Sequence, residues 1–169
     1  MIRRSFYDKK KKYILQNNHH LYDLKPLYYK ILNKQIHIMN GIVKMKIYIV
    51  DDSEIMRERL SMLILSIEGV EISGEAETED EAIKAIMELK PDIVILDIML
   101  KKGNGINVLR ELKKQNSTST VIMLTSYIYP QYVRKCLGLG ANFIFNKNSD
   151  IEELINTLRS FKNNCLPAN

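Results

Sequence analysis

The sequence predicts an α/β protein: a doubly wound sheet of five parallel strands with helices on both faces. Three observations carry that expectation. Five short apolar runs recur between residues 46 and 146. Amphipathic stretches with helical spacing separate them. Start and stop signals mark the boundaries of those stretches. Five strand–helix units in one domain-sized stretch leave a parallel sheet with covered faces and right-handed crossovers as the simplest architecture.

The elements follow in order. Residues 47–50 read as a short buried strand. Residues 54–67 read as a helix with Ile55, Leu60, Leu63, Ile64 and Ile67 on one face, stopped by Gly69. Residues 70–76 alternate Val70, Ile72, Gly74 and Ala76 with polar neighbours, a strand with one exposed face. Thr78 and Glu81 have capping-box spacing, and the helix they open runs to Lys90, where Pro91 blocks continuation. The third strand, residues 93–96, is apolar throughout and should be covered on both sides. Ile106, Leu109 and Leu112 mark the third helix, and residues 121–124 the fourth strand. Pro130 suits the first turn of the fourth helix, which Gly138 or Gly140 ends. Residues 143–145 form the fifth strand. Ser149 and Glu152 repeat the capping-box spacing ahead of a fifth helix along Ile151, Leu154, Ile155, Leu158 and Phe161.

Composition excludes several classes. The chain has 169 residues, 46% hydrophobic and 27% charged, which is globular composition. No apolar stretch approaches the ~20 residues that span a bilayer, and no apolar core of a secretory signal follows the basic start. Two cysteines, Cys136 and Cys165, make neither a disulfide framework nor a four-ligand zinc site, and they suit a reducing cytoplasm. The net charge of +5 is unevenly spread. Residues 1–44 hold ten Lys and Arg against Asp8 and Asp23, while residues 45–169 carry three more acids than bases. The leader of residues 1–44, with its lysine run at 9–12 between Tyr7 and Tyr13, is expected to be disordered or a gene-start artefact, since Met45 opens the first strand directly. Helical spacing of Leu21, Leu24, Leu27, Tyr28, Ile31 and Leu32 keeps a packed extension open, and the lysines keep open a basic arm for nucleic acid or anionic lipid. Residues 164–169 form a short tail.

In doubly wound sheets the ligand site lies beyond the carboxyl ends of the strands. Those ends carry Asp51 and Asp52, then Asp97, then Thr125 and Ser126, and near the fifth strand Lys147. Three clustered carboxylates need a cation to stay ionised together, and all-oxygen ligation suits Mg²⁺. Mg²⁺, an ammonium and a hydroxyl around a carboxylate suit phosphoryl transfer, with the carboxylate as nucleophile.

Residues 45–163 resemble the receiver domain of two-component response regulators, of the stand-alone chemotaxis-regulator kind. The matching pieces are Ile-Val-Asp51-Asp52-Ser53, Ile-Leu-Asp97-Ile-Met-Leu, Gly105, Met-Leu-Thr125-Ser126 and Gly-Ala-Asn-Phe-Ile-Phe-Asn-Lys147. The resemblance implies a flavodoxin-like sheet of order 2-1-3-4-5. It implies that Asp97 is the phosphoacceptor, Asp52 a direct and Asp51 a partly water-mediated ligand of Mg²⁺, and the Met99 backbone carbonyl a further ligand. Thr125 would hydrogen-bond the phosphoryl group and Lys147 would pair with it. The implied partners are a sensor histidine kinase or histidine phosphotransfer protein upstream and a protein downstream. The downstream partner would meet the face of the fourth helix, fifth strand and fifth helix, including Tyr129, Tyr132 and Arg134. A cytoplasmic protein with no membrane association and no DNA-binding output domain is expected, because few residues follow Phe161.

The sequence departs from the family pattern at three places. Lys101 stands where proline usually follows the phosphoacceptor by four residues, so that loop is expected to be more mobile and more basic. Ile144 stands in place of the usual switch aromatic, with Phe143 and Phe145 expected on the opposite face. Asn148 replaces the proline after the lysine, which argues against a cis peptide there. Three other readings compete. A pseudo-receiver scaffold would bind partners without phosphorylation. A dehalogenase-type phosphohydrolase would want an acid two residues after its nucleophile, where Met99 stands. The leader could bind DNA.

Overall fold

The computed structural model of the chain describes residues 44–164. The leader, apart from Lys44, and the tail beyond residue 164 lie outside the described residues. The elements are β1 (Met45–Val50), α1 (Glu54–Ile64), β2 (Val70–Ala76), α2 (Glu79–Leu89) and β3 (Ile93–Leu96). They continue with α3 (Gly105–Lys114), β4 (Thr120–Thr125), α4 (Pro130–Gly138), β5 (Phe143–Asn146) and α5 (Ile151–Asn164). The strands form one parallel sheet of order β2-β1-β3-β4-β5.

The period-two alternation of strand side chains divides the core into two layers. Tyr48, Val50, Val94, Leu96, Val121 and Met123 pack on one face against Ala82 and Ile86 of α2, Leu109 and Leu112 of α3, and Cys136 of α4. Ile47, Ile49, Ile93, Ile95, Ile122, Leu124 and Phe145 pack on the other against Leu60 and Ile64 of α1 and Leu154 and Leu158 of α5. All four residues of β3 are buried, as its unbroken apolar run required. Cys136 is a core residue, and burial pushes its thiol pKa up.

Several local expectations fail for identifiable reasons. Ile55 is 79% exposed. Five residues separate it from Leu60, which at ~100° per residue puts it roughly 140° around the helix. The core-facing residue of that first turn is Met56, and α1 ends at Ile64 rather than 67. Thr78 is the N-cap of α2 but makes no capping hydrogen bond through its side chain. The Glu79 N–H instead donates to the Lys102 carbonyl (3.0 Å), so a neighbouring loop satisfies that end of the helix. Ser149 and Glu152 form no capping box either. Ser149 Oγ donates to Asp150 Oδ1, and the Asp150 carbonyl accepts the Leu154 N–H that opens α5. Among the described residues no peptide bond is cis.

The chain runs from β1 out to β2 and then back to β3 on the other side, so the strand order reverses at β1. That reversal opens a crevice at the carboxyl ends of β1 and β3, where Asp51, Asp52 and Asp97 stand.

Candidate functional site

β1 delivers the first carboxylates. Its last residue, Val50, accepts the Asp97 N–H (2.8 Å), and the Asp51 N–H donates to Ala76 at the end of β2 (3.1 Å). The acid pair is therefore locked between two strand ends. Asp51 Oδ1 accepts the Ser53 N–H (3.0 Å), and Ser53 Oγ caps α1 by accepting the Met56 N–H. Asp51 is buried and points inward, whereas Asp52 is exposed.

β3 delivers Asp97, which is 4% exposed. Its Oδ1 accepts the Ile98 N–H and its Oδ2 accepts from Lys147 Nζ (2.6 Å). Lys147 follows β5 and is itself buried; its ammonium also meets Asp51 Oδ2 at 2.6 Å. One cation thus bridges two buried carboxylates from different strands. The ligand oxygens of Asp51, Asp52 and Asp97 lie within 4.8 Å of one another.

The electrostatics follow from the count of charges. Three carboxylates face one ammonium. Burial raises the Asp51 pKa, the bonds from Lys147 and the Ser53 N–H lower it in part, and the Asp97 charge adds to the rise. Burial works against the Lys147 ammonium, but its hydrogen bonds to Asp51 and Asp97, and their charges, raise its pKa on balance. The cluster carries negative charge that the lysine does not neutralise. Its donor set is all oxygen and one carboxylate opens to solvent, so it fits a hard divalent cation that keeps some of its waters.

Thr125 ends β4 and is fully buried. Its carbonyl accepts the Lys147 N–H (3.1 Å), and its Oγ1 accepts the Tyr127 N–H (3.2 Å) rather than reaching Asp97. Met99 lies two residues past Asp97, half-exposed, and pairs with Asn104 across the loop as an isolated bridge. Ile144 packs into the layer shared with α2, α3 and α4, whereas Phe145 lies in the opposite layer and stacks on Phe143. The rings nearest Thr125 along the chain are instead Tyr127 and Tyr129, 6.3 Å apart, with Tyr129 6.0 Å from Tyr132 of α4.

The match to known proteins agrees with this geometry. The family model described as the response regulator receiver domain matches residues 47–159. The chain belongs to the response regulator receiver family. Among its relatives is the sensory transduction protein LytT of Bacillus anthracis, 34% identical over 118 residues, covering 70% of this chain and 47% of that protein. The uncharacterized transcriptional regulatory protein YhcZ of Bacillus subtilis is 34% identical over 113 residues, covering 67% and 53%. The chain spans about half the length of these curated relatives. Among solved structures, a LuxR-family DNA-binding response regulator from Staphylococcus aureus is 29% identical with a TM-score of 0.65, covering 69% of this chain and 97% of that one. The response regulator domain of Thermotoga maritima CheB is 27% identical with a TM-score of 0.65, covering 71% and 97%. No helix among the described residues of this chain is long and apolar enough to cross a membrane.

The sequence singled out Asp51, Asp52, Asp97 and Lys147, and the receiver fold gathers all four. It passed over Arg57, whose guanidinium donates to the Asp51 carbonyl (2.7 Å) and to Glu75 Oε2 (3.2 Å), bracing the end of β1. A basic residue one helical turn past the Ser53 cap, close to the acid pair that ends β1, was the available signal. Lys101 was expected in a mobile loop. Its N–H instead donates to the Glu77 carbonyl (3.1 Å) and its ammonium meets Glu77 Oε1 (2.8 Å), so the loop is fastened to the β2–α2 turn. A proline at that position has no N–H to give.

Proposed function

We propose that this receiver accepts a phosphoryl group on Asp97 from the phosphohistidine of a sensor histidine kinase or a histidine phosphotransfer protein, and that the added charge switches a protein-docking surface. The single observation that carries the reading is the Lys147 ammonium, held 2.6 Å from both Asp51 and Asp97 at the mouth of an acid cluster. Asp51, Asp52 and Asp97, with the Met99 backbone carbonyl, would hold Mg²⁺, which when bound supplies positive charge to the phosphoryl oxygens.

The chain's own residues do the rest. A carboxylate oxygen of Asp97 attacks phosphorus on the side opposite the imidazole nitrogen. The O–P bond forms as the P–N bond breaks, and the P–N electron pair returns to the imidazole. Lys147 shifts from the carboxylates to the phosphoryl oxygens, where its charge is already preorganised. The acyl phosphate carries about two negative charges where the carboxylate carried one, so loading adds about −1 and three phosphoryl oxygens that accept hydrogen bonds. The Thr125 hydroxyl turns from the Tyr127 N–H toward those oxygens. That frees the segment leading into α4, where Tyr127 and Tyr129 are exposed. The downstream protein docks on the face of α4, β5 and α5, with Tyr129, Tyr132 and Arg134 in reach. On this reading residues 45–163 form the receiver unit and work in the cytoplasm beside the kinase.

Incubation of the full chain with a small phosphodonor and Mg²⁺ should give one phosphoryl adduct by intact mass, lost in Asp97→Asn. No adduct on the wild type leaves the non-phosphorylated scaffold as the reading. An equal adduct on Asp97→Asn moves the acceptor elsewhere.

A further inference from the structure

The loop from Asp97 to Gly105 is held by an unusual density of bonds to a turn it does not adjoin in sequence. Its two ends close on themselves: the Gly105 N–H donates to the Ile98 carbonyl (2.9 Å), and Met99 bridges Asn104. Its middle is tied to the β2–α2 turn. Lys102 bridges Thr78 and accepts the Glu79 N–H, and Lys101 is bonded to Glu77 through both backbone and side chain. The centre of this junction is the Glu79 carboxylate. Its Oε2 accepts the Asn104 N–H (2.8 Å) and the Asn107 side-chain amide (3.2 Å). Glu79 is half-buried and fills the space over Gly103, a residue at φ +86° where a side chain would both strain the backbone and strike Glu79. The glutamate therefore grips the loop from one side while the loop shapes itself to the glutamate.

What that loop presents is Asp97 at one end and the Met99 carbonyl in its first turn. We propose that Glu79 is a positioning residue for the divalent-ion site: its carboxylate clamps the 97–105 loop so that the Met99 carbonyl and the Asp97 carboxylate stay at the acid cluster. The inference rests on the reading that Asp51, Asp52, Asp97 and Met99 hold the ion. Partners that orient metal ligands from outside the coordination sphere typically change affinity by about 10–100-fold when removed. A proline at position 101 would stiffen the loop through its own ring. Here side-chain carboxylates on the β2–α2 turn supply the restraint from outside, so it can be removed without touching any ligand.

The test is Mn²⁺ titration calorimetry on the full chain, paired with amide hydrogen exchange at Asn104 and thermal unfolding in chelator. Wild type should bind Mn²⁺ and Asp52→Asn should not; a wild type that fails to bind overturns the underlying site assignment and the clamp with it. With that site in place, Glu79→Ala should weaken Mn²⁺ binding by about 10-fold or more and speed exchange at Asn104. Glu79→Gln keeps an acceptor oxygen and should retain most of the affinity. A Glu79→Ala protein with wild-type Mn²⁺ affinity, whatever its melting temperature, overturns the clamp while leaving the site assignment standing. Should that variant not fold, Asn107→Ala removes one of the two clamp bonds and should weaken Mn²⁺ binding by a smaller factor. Unchanged affinity there overturns the proposal equally.

Discussion

Lys147→Met should destabilise the fold by about 3–5 kcal/mol near neutral pH, and the loss should shrink as the pH falls. Methionine keeps the length of the side chain and removes its charge. Asp51 and Asp97, whose side chains are 2% and 5% exposed, then face each other with no ammonium between them. Stranding a buried charge costs more than the pair itself contributes, which sets that magnitude. The pH dependence comes from proton uptake. In the wild type, burial already raises the Asp51 pKa, and the bond to Lys147 holds part of that rise back. Without the lysine the carboxyl rises further, so the folded state binds protons that the unfolded state has released. Stability then falls as the pH rises through that raised pKa and recovers below it. The Lys147 pKa is itself raised on balance, so the wild-type pair keeps its contribution until the pH passes above the lysine's own range. Urea denaturation across the mildly acidic to mildly alkaline range checks this. Millimolar Mg²⁺ should restore part of the loss by replacing the missing cation. A small, pH-independent loss would mean that the two carboxylates are solvated.

Gly105→Ala should be worse for the chemistry than for the fold. Gly105 opens α3 and is buried, and a Cβ there would overlap the Asp97 carbonyl oxygen and lie 2.9 Å from its carbon. Relief tilts the Asp97–Ile98 peptide, whose N–H donates to Asp97 Oδ1, and strains the bond from the Gly105 N–H to the Ile98 carbonyl, so the reacting carboxylate shifts with it. Overpacking of this kind costs about 1–3 kcal/mol. A displacement of ~1 Å at a reacting group can cost about 100-fold in rate, so phosphodonor uptake should fall far more than the denaturation midpoint suggests. Gly138→Ala is the control. Nothing lies within 4 Å of its added Cβ, and the substitution should be neutral or stabilising by up to ~1 kcal/mol. Equal effects at the two glycines would remove close approach as the explanation.

The strands were legible because burial on both faces leaves an unbroken apolar run, and β3 was read to the residue. Asp51, Asp52, Asp97 and Lys147 were legible because a parallel sheet collects strand ends at one rim, whatever their separation in the chain. The strand order itself came from the family resemblance, since periodicity does not specify which strands are neighbours. The failures have different causes. Spacing alone suggests capping boxes at Thr78 and Ser149, but at Thr78 a tertiary partner, the Lys102 carbonyl, takes the helix start, and at Ser149 a nearer acid, Asp150, takes the hydroxyl and also accepts the Asn146 N–H. Ile55 was assigned to the core because it is apolar, although its phase points away from Leu60. The bracing of Asp51 by Arg57, and of the Asp97 loop by Glu79, depends on contacts between segments that no window along the sequence joins.

The placement of Lys147 has one more consequence. It follows β5, the border strand of the sheet, which is bonded along one side to β4 alone and is four residues long. Asp51 and Asp97, by contrast, belong to inner strands. The reactive centre therefore draws its acids from the sturdiest part of the sheet and its amine from the part that frays most easily. Peeling of that last strand would withdraw the amine while the inner sheet stayed shut.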